Sequence, residues 1–385
     1  MQPRGQHVFD GGILIRFLHS ADLHLGKPFG RLPEDVRARL RVARDGVVAR
    51  LVRAARDGGA SHVLLAGDSF DAETPPPRLL RQAMNAMAAA TELTWVILPG
   101  NHDSLAATEL WANMARALPP NVQLALTPAP LPLGQAVLLA APCTARRPGL
   151  DLTTDLDQAT ASGLIRIGLA HGAITDFAGA GSEDGNPAVI PPDRAQRSGL
   201  DYLALGDWHG QMAVGPRCWY AGTPERDSFR HPGPGAVLLV QIDGPGAPPQ
   251  VTPMVTGSIE WQARTLDLLP GEDGAARLAG LLPGRDARSA TLLRLAMQGR
   301  ADLAQAQALR AALADLAHDL LHLDLDDALQ PQIAPGDLDQ IDRAGALRQA
   351  AEALAATLAD PAATPARRQT AGAALSRLFA FVAEG

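Results

Sequence analysis

The chain has 385 residues, of which 46% are hydrophobic and 19% charged, and its formal net charge is −7. This composition is typical of a globular protein of two or three domains, and it argues against a surface coated with positive charge for nucleic acid. Lys27 is the sole lysine, so the other basic side chains are arginines. The two cysteines show no CxxC spacing, which excludes a thiolate zinc site and predicts a reducing, cytoplasmic location.

No membrane segment is expected. The first twelve residues lack the apolar core of a signal peptide and predict a disordered tail over residues 1–12. Residues 117–145 carry no charge, but six prolines and Gly134 interrupt them. Because such breaks are incompatible with a membrane helix, two short strands joined by a proline-rich loop are predicted there instead.

Strand-like and helix-like stretches alternate along the chain in the order of a layered α/β domain. The apolar runs ILIRFLHS, HVLLA and TWVILP are each followed by a helical pattern, the first of them one long amphipathic helix from about Pro33 to Asp57. Later runs, from IRIGLAH to AVLLVQI, are more closely spaced and predict a second, mixed or antiparallel sheet packed on the first. The expected fold is a two-sheet helix–sheet–sheet–helix α/β sandwich.

The sandwich is expected to occupy residues 13–257, with a proline- and glycine-rich exit near its end. Residues 258–330 alternate strand and helix patterns and predict a small α/β cap domain. Residues 331–385 predict a helical C-terminal segment with two alanine-rich helices, either packed on the cap or docking a partner.

Five short acidic and histidine-bearing segments follow or end the apolar runs. They are Asp22-Leu23-His24, GDSFD at residues 67–71, GNHD at 100–103, His171-Gly172 and GDWHG at 206–210. In α/β sheets, ligand sites collect beyond the carboxyl ends of the strands, and carboxylate, imidazole and amide donors there are typical of divalent-cation ligands. The pattern therefore predicts a two-metal hydrolase site.

The donors divide into two predicted ligand sets. Asp22, His24, Asp68 and His209 would hold one ion, and Asp68, Asn101, His171 and Asp207 the other. Asp68 is thus expected to bridge the pair, and Gly67 before it lets the backbone turn sharply. Mixed oxygen and nitrogen donors suit Mn²⁺ best, with Fe²⁺, Zn²⁺ or Mg²⁺ as alternatives.

Two such ions lower the pKa of a bound water and neutralise phosphoryl oxygens during in-line displacement. His102 is not needed as a ligand, so it is the predicted general acid for the leaving oxygen. Asp71 and Asp103 are expected to orient imidazole rings by accepting a ring N–H.

Together, the five segments resemble in order and spacing the calcineurin-like metallophosphoesterase superfamily, over residues 13–242. HSADLHLG, GNHD and YLALGDWHG followed by YAGTPERDSF resemble more closely the SbcD/YhaO group of DNA repair exonucleases. This resemblance implies a phosphoesterase or nuclease domain, two Mn²⁺ ions, and phosphodiester cleavage in DNA. It also implies a cap that directs DNA and a coiled-coil ATPase partner of the SbcC/YhaN type. A homodimer is left open.

One position departs from that resemblance. Asp207 stands where the family pattern GHxH has its first histidine, and the added negative charge favours harder ions over zinc.

Each candidate for substrate binding has two alternative roles. Arg226 and Arg230 are candidates for phosphate contact or ordinary surface residues, and the same two readings apply to Lys27. Trp208 either stacks on a base or packs beneath the site. Two alternatives to a DNA nuclease remain: a phosphoesterase acting on a cyclic nucleotide, nucleotide sugar or phosphoprotein, and a non-catalytic binding module on the same fold.

Overall fold

The structure is a computed structural model that describes residues 14–175, 189–231, 233–269, 271–332, 337–342 and 345–384. The tail predicted over residues 1–12 lies outside the described residues. The chain forms two compact units, Met1–Ile259 and Glu260–Gly385.

The strands of the described chain fall into three sheets. In chain order they are β1 (Ile15–Ser20), β2 (His62–Ala66), β3 (Thr94–Leu98), β4 (Val122–Leu124), β5 (Leu131–Leu133), β6 (Ala136–Ala141), β7 (Ile165–His171), β8 (Tyr202–Gly206), β9 (Met212–Gly215), β10 (Cys218–Tyr220), β11 (Ala236–Ile242), β12 (Gln250–Val255), β13 (Glu260–Leu268), β14 (Thr291–Asp302), β15 (His322–Asp327) and β16 (Gln330–Gln332). The first unit holds two six-stranded sheets, ordered β12-β11-β1-β2-β3-β4 and β5-β6-β7-β8-β10-β9, and the second unit holds β13 to β16.

The helices mostly connect strands in the predicted alternating order. They are α1 (Glu34–Asp45), α2 (Val47–Gly58), α3 (Pro77–Ala88), α4 (Thr108–Arg116), α5 (Arg194–Arg197), α6 (Gly274–Leu281), α7 (Arg285–Arg288), α8 (Leu303–Ala317), α9 (Asp337–Ile341), α10 (Ala346–Ala359) and α11 (Pro365–Glu384). A 3₁₀ helix covers Leu152–Asp157.

The two sheets of the first unit pack face to face, which confirms the predicted sandwich. Successive strand residues point to opposite faces, so Phe17 enters the core between the sheets while Leu18 packs towards α2, α3 and α4. On the far side of the second sheet, Leu203 and Leu205 pack against Ala195 of α5 and Leu156 of the 3₁₀ helix. Both faces of each sheet are therefore covered, which explains why the central strands are apolar along their whole length.

Two details of the sequence prediction were wrong. The run AVLLVQI forms β11, which lies in the first sheet, antiparallel to β1, with Val240 opposite Phe17. An apolar run identifies a buried strand but not its neighbour, which explains the error. The long helix predicted from Pro33 to Asp57 is interrupted at Gly46, where ψ is −3°. Glycine has a low helix propensity, and the Arg50 guanidinium lies over this position and donates to the Ala43 carbonyl at 2.7 Å.

The second unit is a parallel sheet with helices packed on it. β14 pairs in parallel with β13, β15 and β16. Leu375 and Phe379 of α11 are buried in one cluster with Leu303 of α8, so the apolar stripe of α11 packs within this unit. Among the described residues, no helix combines the length and the apolar character that crossing a membrane requires.

Candidate metal centre

The predicted ligands lie at the carboxyl ends of the parallel strands. His171 is the last residue of β7, and the others occupy the loops that follow β1, β2, β3 and β8. Backbone hydrogen bonds join the first two loops, because Asp22 N donates to Gly67 O at 3.1 Å and His24 N donates to Asp68 O at 2.9 Å. The predicted ligands that follow or end these strands therefore lie at the same edge of the sandwich.

The backbone at this edge is strained. Five described non-glycine residues have a positive φ, and four of them are predicted ligands: Asp22 (54°), His24 (41°), Asp68 (52°) and Asp207 (102°). Such conformations are uncommon for residues with a Cβ and concentrate at functional sites. Space is equally restricted, since a Cβ at Gly67 (φ 88°) would lie 2.3 Å from His171 Nδ1.

Two groups of three donors form the centre of the site. In the first triad, formed by Asp22, His24 and His209, the ligand atoms lie within 4.8 Å of one another, and the same holds for the second triad, formed by Asp22, Asp68 and His171. All five side chains are buried. Asp22 is common to both triads, and its carboxylate also accepts the Asp207 amide at 3.2 Å.

In the first triad two imidazole nitrogens face each other. His24 Nε2 lies 3.2 Å from His209 Nε2. The opposite ring nitrogen of each histidine faces a carboxylate: His24 Nδ1 lies 3.2 Å from Asp71 Oδ1, and His209 Nδ1 lies 3.2 Å from Asp227 Oδ2. The hydrogen bond to Asp227 favours the proton on Nδ1 of His209, which leaves the His209 Nε2 lone pair for a ligand at this point.

The second triad is surrounded by further acceptors. His171 Nδ1 donates to the Ala66 carbonyl at 2.8 Å, while its Nε2 lies 2.8 Å from Asn101 Oδ1. Asp207 Oδ1 lies 3.8 Å from the same Nε2. Asp68, a member of the second triad, also lies near the first, because its Oδ2 is 3.6 Å from both His24 Nε2 and His171 Nε2. This convergence of acceptors fits a pair of cations.

The proton affinities of the site reflect its crowded negative charge. Burial, reinforced by Asp68 and Asp207, raises the pKa of Asp22 to about 7. Burial opposes protonation of His171, but the carboxylates of Asp68, Asp22 and Asp207 outweigh it and raise the pKa of His171 to about 9. Burial holds the pKa of His24 well below its usual value despite the nearby Asp68. A cation could replace the proton that these carboxylates attract to His171.

His102 lies beside the first triad, with its ring centroid 4.7 Å from that of His24. Its Nδ1 donates to the Asp71 carbonyl oxygen at 2.8 Å, and its backbone amide donates to Asp68 Oδ1 at 2.8 Å. The side chain is half-buried, so it is accessible at the edge of the site.

The contacts of Asp103 differ from the prediction that this residue orients an imidazole. Its carboxylate accepts the Gly100 amide at 2.7 Å and the Phe70 amide at 3.0 Å. The carboxylate therefore joins the loops after β2 and β3. The side chain of Asp71, by contrast, lies beside an imidazole, with its Oδ1 3.2 Å from His24 Nδ1.

The structure separates the three substrate-binding candidates. Arg226 is 7% exposed, and its guanidinium donates to the carbonyls of Gly233 and Ser228, so it stabilises its own loop. Arg230 is exposed. Trp208 is half-buried, packs against the core beneath the second sheet and contacts the His231 ring at 4.3 Å.

A comparison with protein family models gives a match within the first unit. The family model described as calcineurin-like phosphoesterase matches residues 15–211, which include every predicted ligand. This chain belongs to the calcineurin-like phosphoesterase family. YhaO of Bacillus subtilis strain 168, an uncharacterized metallophosphoesterase, is 25% identical over 244 residues, which cover 59% of this chain and 57% of YhaO. The chain thus spans little more than half the length of that relative.

A search of solved structures found the crystal structure of TT1561 of Thermus thermophilus. The match has a TM-score of 0.38 and 11% sequence identity, and it covers 62% of this chain and 99% of TT1561.

Sequence reasoning missed Asp227 and considered Lys27 only as a candidate for phosphate contact or as an ordinary surface residue. Asp227, which contacts His209, lies in the segment YAGTPERDSF, where attention fell on the arginines. Lys27 lies 2.5 Å from the same carboxylate, so its partner is a protein carboxylate. Burial would raise the pKa of Asp227, but His209, Lys27 and Arg44 hold it well below its usual value. The only sequence signal for the Lys27–Asp227 pair was that the one lysine of the chain follows His24 by three residues.

Proposed function

We propose that this phosphoesterase is a two-metal phosphodiesterase. The observation that supports it most directly is the convergence of buried donor atoms, because those of Asp22, His24 and His209 lie within 4.8 Å of one another and so do those of Asp22, Asp68 and His171. Clusters of carboxylates and imidazoles of this kind are typical of divalent-cation ligands.

The first ion would be held by Asp22, His24, Asp68 and His209, and the second by Asp68, Asn101, His171 and Asp207. Asp68 suits the bridging position because its Oδ2 is equally far from His24 Nε2 and His171 Nε2. A mixed set of oxygen and nitrogen donors favours Mn²⁺, and Asp207 strengthens the preference for a harder ion. When bound, two such ions supply an activated water and neutralise phosphoryl oxygens.

His102 is the proposed general acid. With its Nδ1 proton donated to the Asp71 carbonyl, the ring in its cationic form carries its second proton on Nε2, where the proton can pass to a leaving oxygen. The bond from its backbone amide to Asp68 Oδ1 fixes the acid relative to the proposed bridging carboxylate. Asp71 has two tasks: its carbonyl orients His102, and its carboxylate orients His24.

DNA is the proposed substrate, and a coiled-coil ATPase is the proposed partner. The support is the resemblance of the first-strand, GNHD and YLALGDWHG segments to repair exonucleases, together with the additional unit of Glu260–Gly385. Arg230 is the exposed candidate for phosphate contact. A small phosphoester is the second candidate, favoured by the net charge of −7 and by Arg226, whose guanidinium binds its own loop.

The experiment compares turnover of linear duplex DNA, bis-p-nitrophenyl phosphate and cyclic nucleotides in Mn²⁺. A DNA phosphodiesterase degrades the duplex, and His102→Gln should lower kcat by about 10²–10⁴-fold while metal content stays unchanged. Turnover of cyclic nucleotides alone would favour the small-substrate alternative. Absence of turnover with all substrates, and of bound metal, would favour a non-catalytic binding module.

A further inference from the structure

The only lysine of the chain is paired with a buried carboxylate. Lys27 Nζ lies 2.5 Å from Asp227 Oδ2, and the two side chains are 27% and 2% exposed, respectively. Lys27 belongs to the same turn as His24, because its backbone amide donates to the His24 carbonyl at 3.1 Å. The pair is thus built into the loop that supplies a proposed ligand.

Asp227 in turn faces the ring of His209. Its two carboxylate oxygens lie 3.3 and 3.2 Å from His209 Nδ1. A carboxylate in this position holds the ring proton on Nδ1, directs Nε2 towards the site and makes it a better donor to a cation. Lys27, Asp227 and His209 therefore form a continuous chain of contacts that ends at the first triad.

The chain of contacts joins the two sheets. Lys27 lies in the loop after β1 of the first sheet, whereas His209 and Asp227 lie in the loops after β8 and β10 of the second. A parallel connection runs through buried Arg44, whose guanidinium donates to the carbonyls of Leu23 and Glu225. Both connections bring the loop of His24 and the loop of Asp227 together.

The second triad is held differently. His171 is oriented by the Ala66 carbonyl and faces Asn101, both of which belong to loops or strand ends of the first sheet. Neither Lys27 nor Asp227 takes part in those contacts. Loss of the pair should consequently affect one ion position and spare the other.

We propose that Lys27 and Asp227 are positioning residues that fix His209 for the ion of the first triad, while the ion of the second triad does not depend on them. This inference rests on the proposed two-metal function. It concerns residues outside both predicted ligand sets, and it gives the sole lysine a specific role.

The test is a Mn²⁺ titration of the full chain, followed by calorimetry and by electron paramagnetic resonance. In the wild type, two ions and an exchange-coupled pair signal are expected. Asp227→Asn and Lys27→Met should each weaken one ion by about 10–100-fold and leave the six-line spectrum of a single Mn²⁺. Lys27→Arg should restore the pair signal, because a cation is kept at this position.

Arg56→Met is the matched control. Arg56 also forms an ion pair, with Glu92 at 2.7 Å, but both side chains are about half exposed. This variant should bind both ions as the wild type does. Because Lys27 is the sole lysine, acetylation followed by peptide mass spectrometry adds a second measurement: loss of the carboxylate in Asp227→Asn should speed labelling of Lys27 severalfold.

Retention of both ions at wild-type affinity in Asp227→Asn and Lys27→Met would overturn the inference. Equal weakening of both ions in variants that melt like the wild type would also overturn it, since the effect would not be specific to one position. If Asp227→Asn does not fold, Lys27→Met decides, because its side chain is partly exposed. A wild type that binds no stoichiometric metal would instead refute the proposed function.

Discussion

Metal binding at the second triad should release a proton, and the amount can be estimated from the structure. Carboxylates around His171 raise its pKa from 6.5 to about 9, so the metal-free ring is a cation at neutral pH. An ion that needs the Nε2 lone pair must displace that proton. At pH 7, two units below this pKa, the competition costs about 2.7 kcal/mol, or about 100-fold in apparent affinity.

The assay is calorimetric titration of Mn²⁺ into metal-free protein between pH 7.5 and 9, without oxygen and in two buffers of different ionisation enthalpy. Asp22, whose pKa is about 7, is mostly ionised over this range, so His171 dominates the slope. The affinity for one of the two ions should rise by nearly tenfold per pH unit at the lower end of the range and less steeply as the pH approaches 9, with about one proton released per protein at pH 8.

His171→Asn is the matched control, because it keeps a donor at this position without a titrating ring. Its affinity should be lower and independent of pH over the same range. An affinity in the wild type that stays constant from pH 7.5 to 9, with no proton released into either buffer, would refute the reasoning that a cation and a proton compete for His171.

Further predictions concern other parts of the chain. Asp207→His replaces a hard carboxylate donor by a softer imidazole, so competitive titration should show a shift in preference from Mn²⁺ towards Zn²⁺, and an unchanged preference would contradict the role given to Asp207. Arg226→Ala should lower Tm because two loop carbonyls lose their donor, and an unchanged Tm would contradict that role. Arg230→Ala, at the exposed proposed phosphate contact, should weaken DNA binding, and an unchanged affinity would contradict that proposal. Burial lowers the pKa of His19 from 6.5 to about 3. The free energy of unfolding that this neutral ring contributes above pH 6.5 should therefore be lost as the pH falls, by up to about 5 kcal/mol near pH 3. In urea unfolding, His19→Gln should make the free energy of unfolding less dependent on pH in this acidic range.

The sequence was sufficient to locate the strands and the donors that follow them. Apolar runs buried on both faces identify central strands, and the ends of parallel strands meet at one edge, so Asp22, Asp68 and Asn101 could be grouped before any coordinates. The positive φ angles at His24 and Asp207 could not be predicted, because strain of this kind depends on the packing of several loops.

Contacts between distant segments account for the rest. Asp227 lies 200 residues after its partner Lys27, and no sequence pattern links the two, so only the fold brings them together. The same limitation applies to Arg226, since the sequence shows an arginine near the site but not that its guanidinium binds the carbonyls of its own loop. The sequence predicts that Asp103 orients an imidazole, whereas its carboxylate accepts backbone amides from two converging loops.

The central claim is that donors from five strand ends hold two divalent ions. Elemental analysis of protein loaded with Mn²⁺ and then freed of excess metal by gel filtration tests it most directly. The account predicts two ions per chain in the wild type and a marked loss in Asp68→Asn, whose carboxylate lies near histidines of both triads. A wild type that retains no stoichiometric metal, or an Asp68→Asn variant that retains both ions, would contradict it.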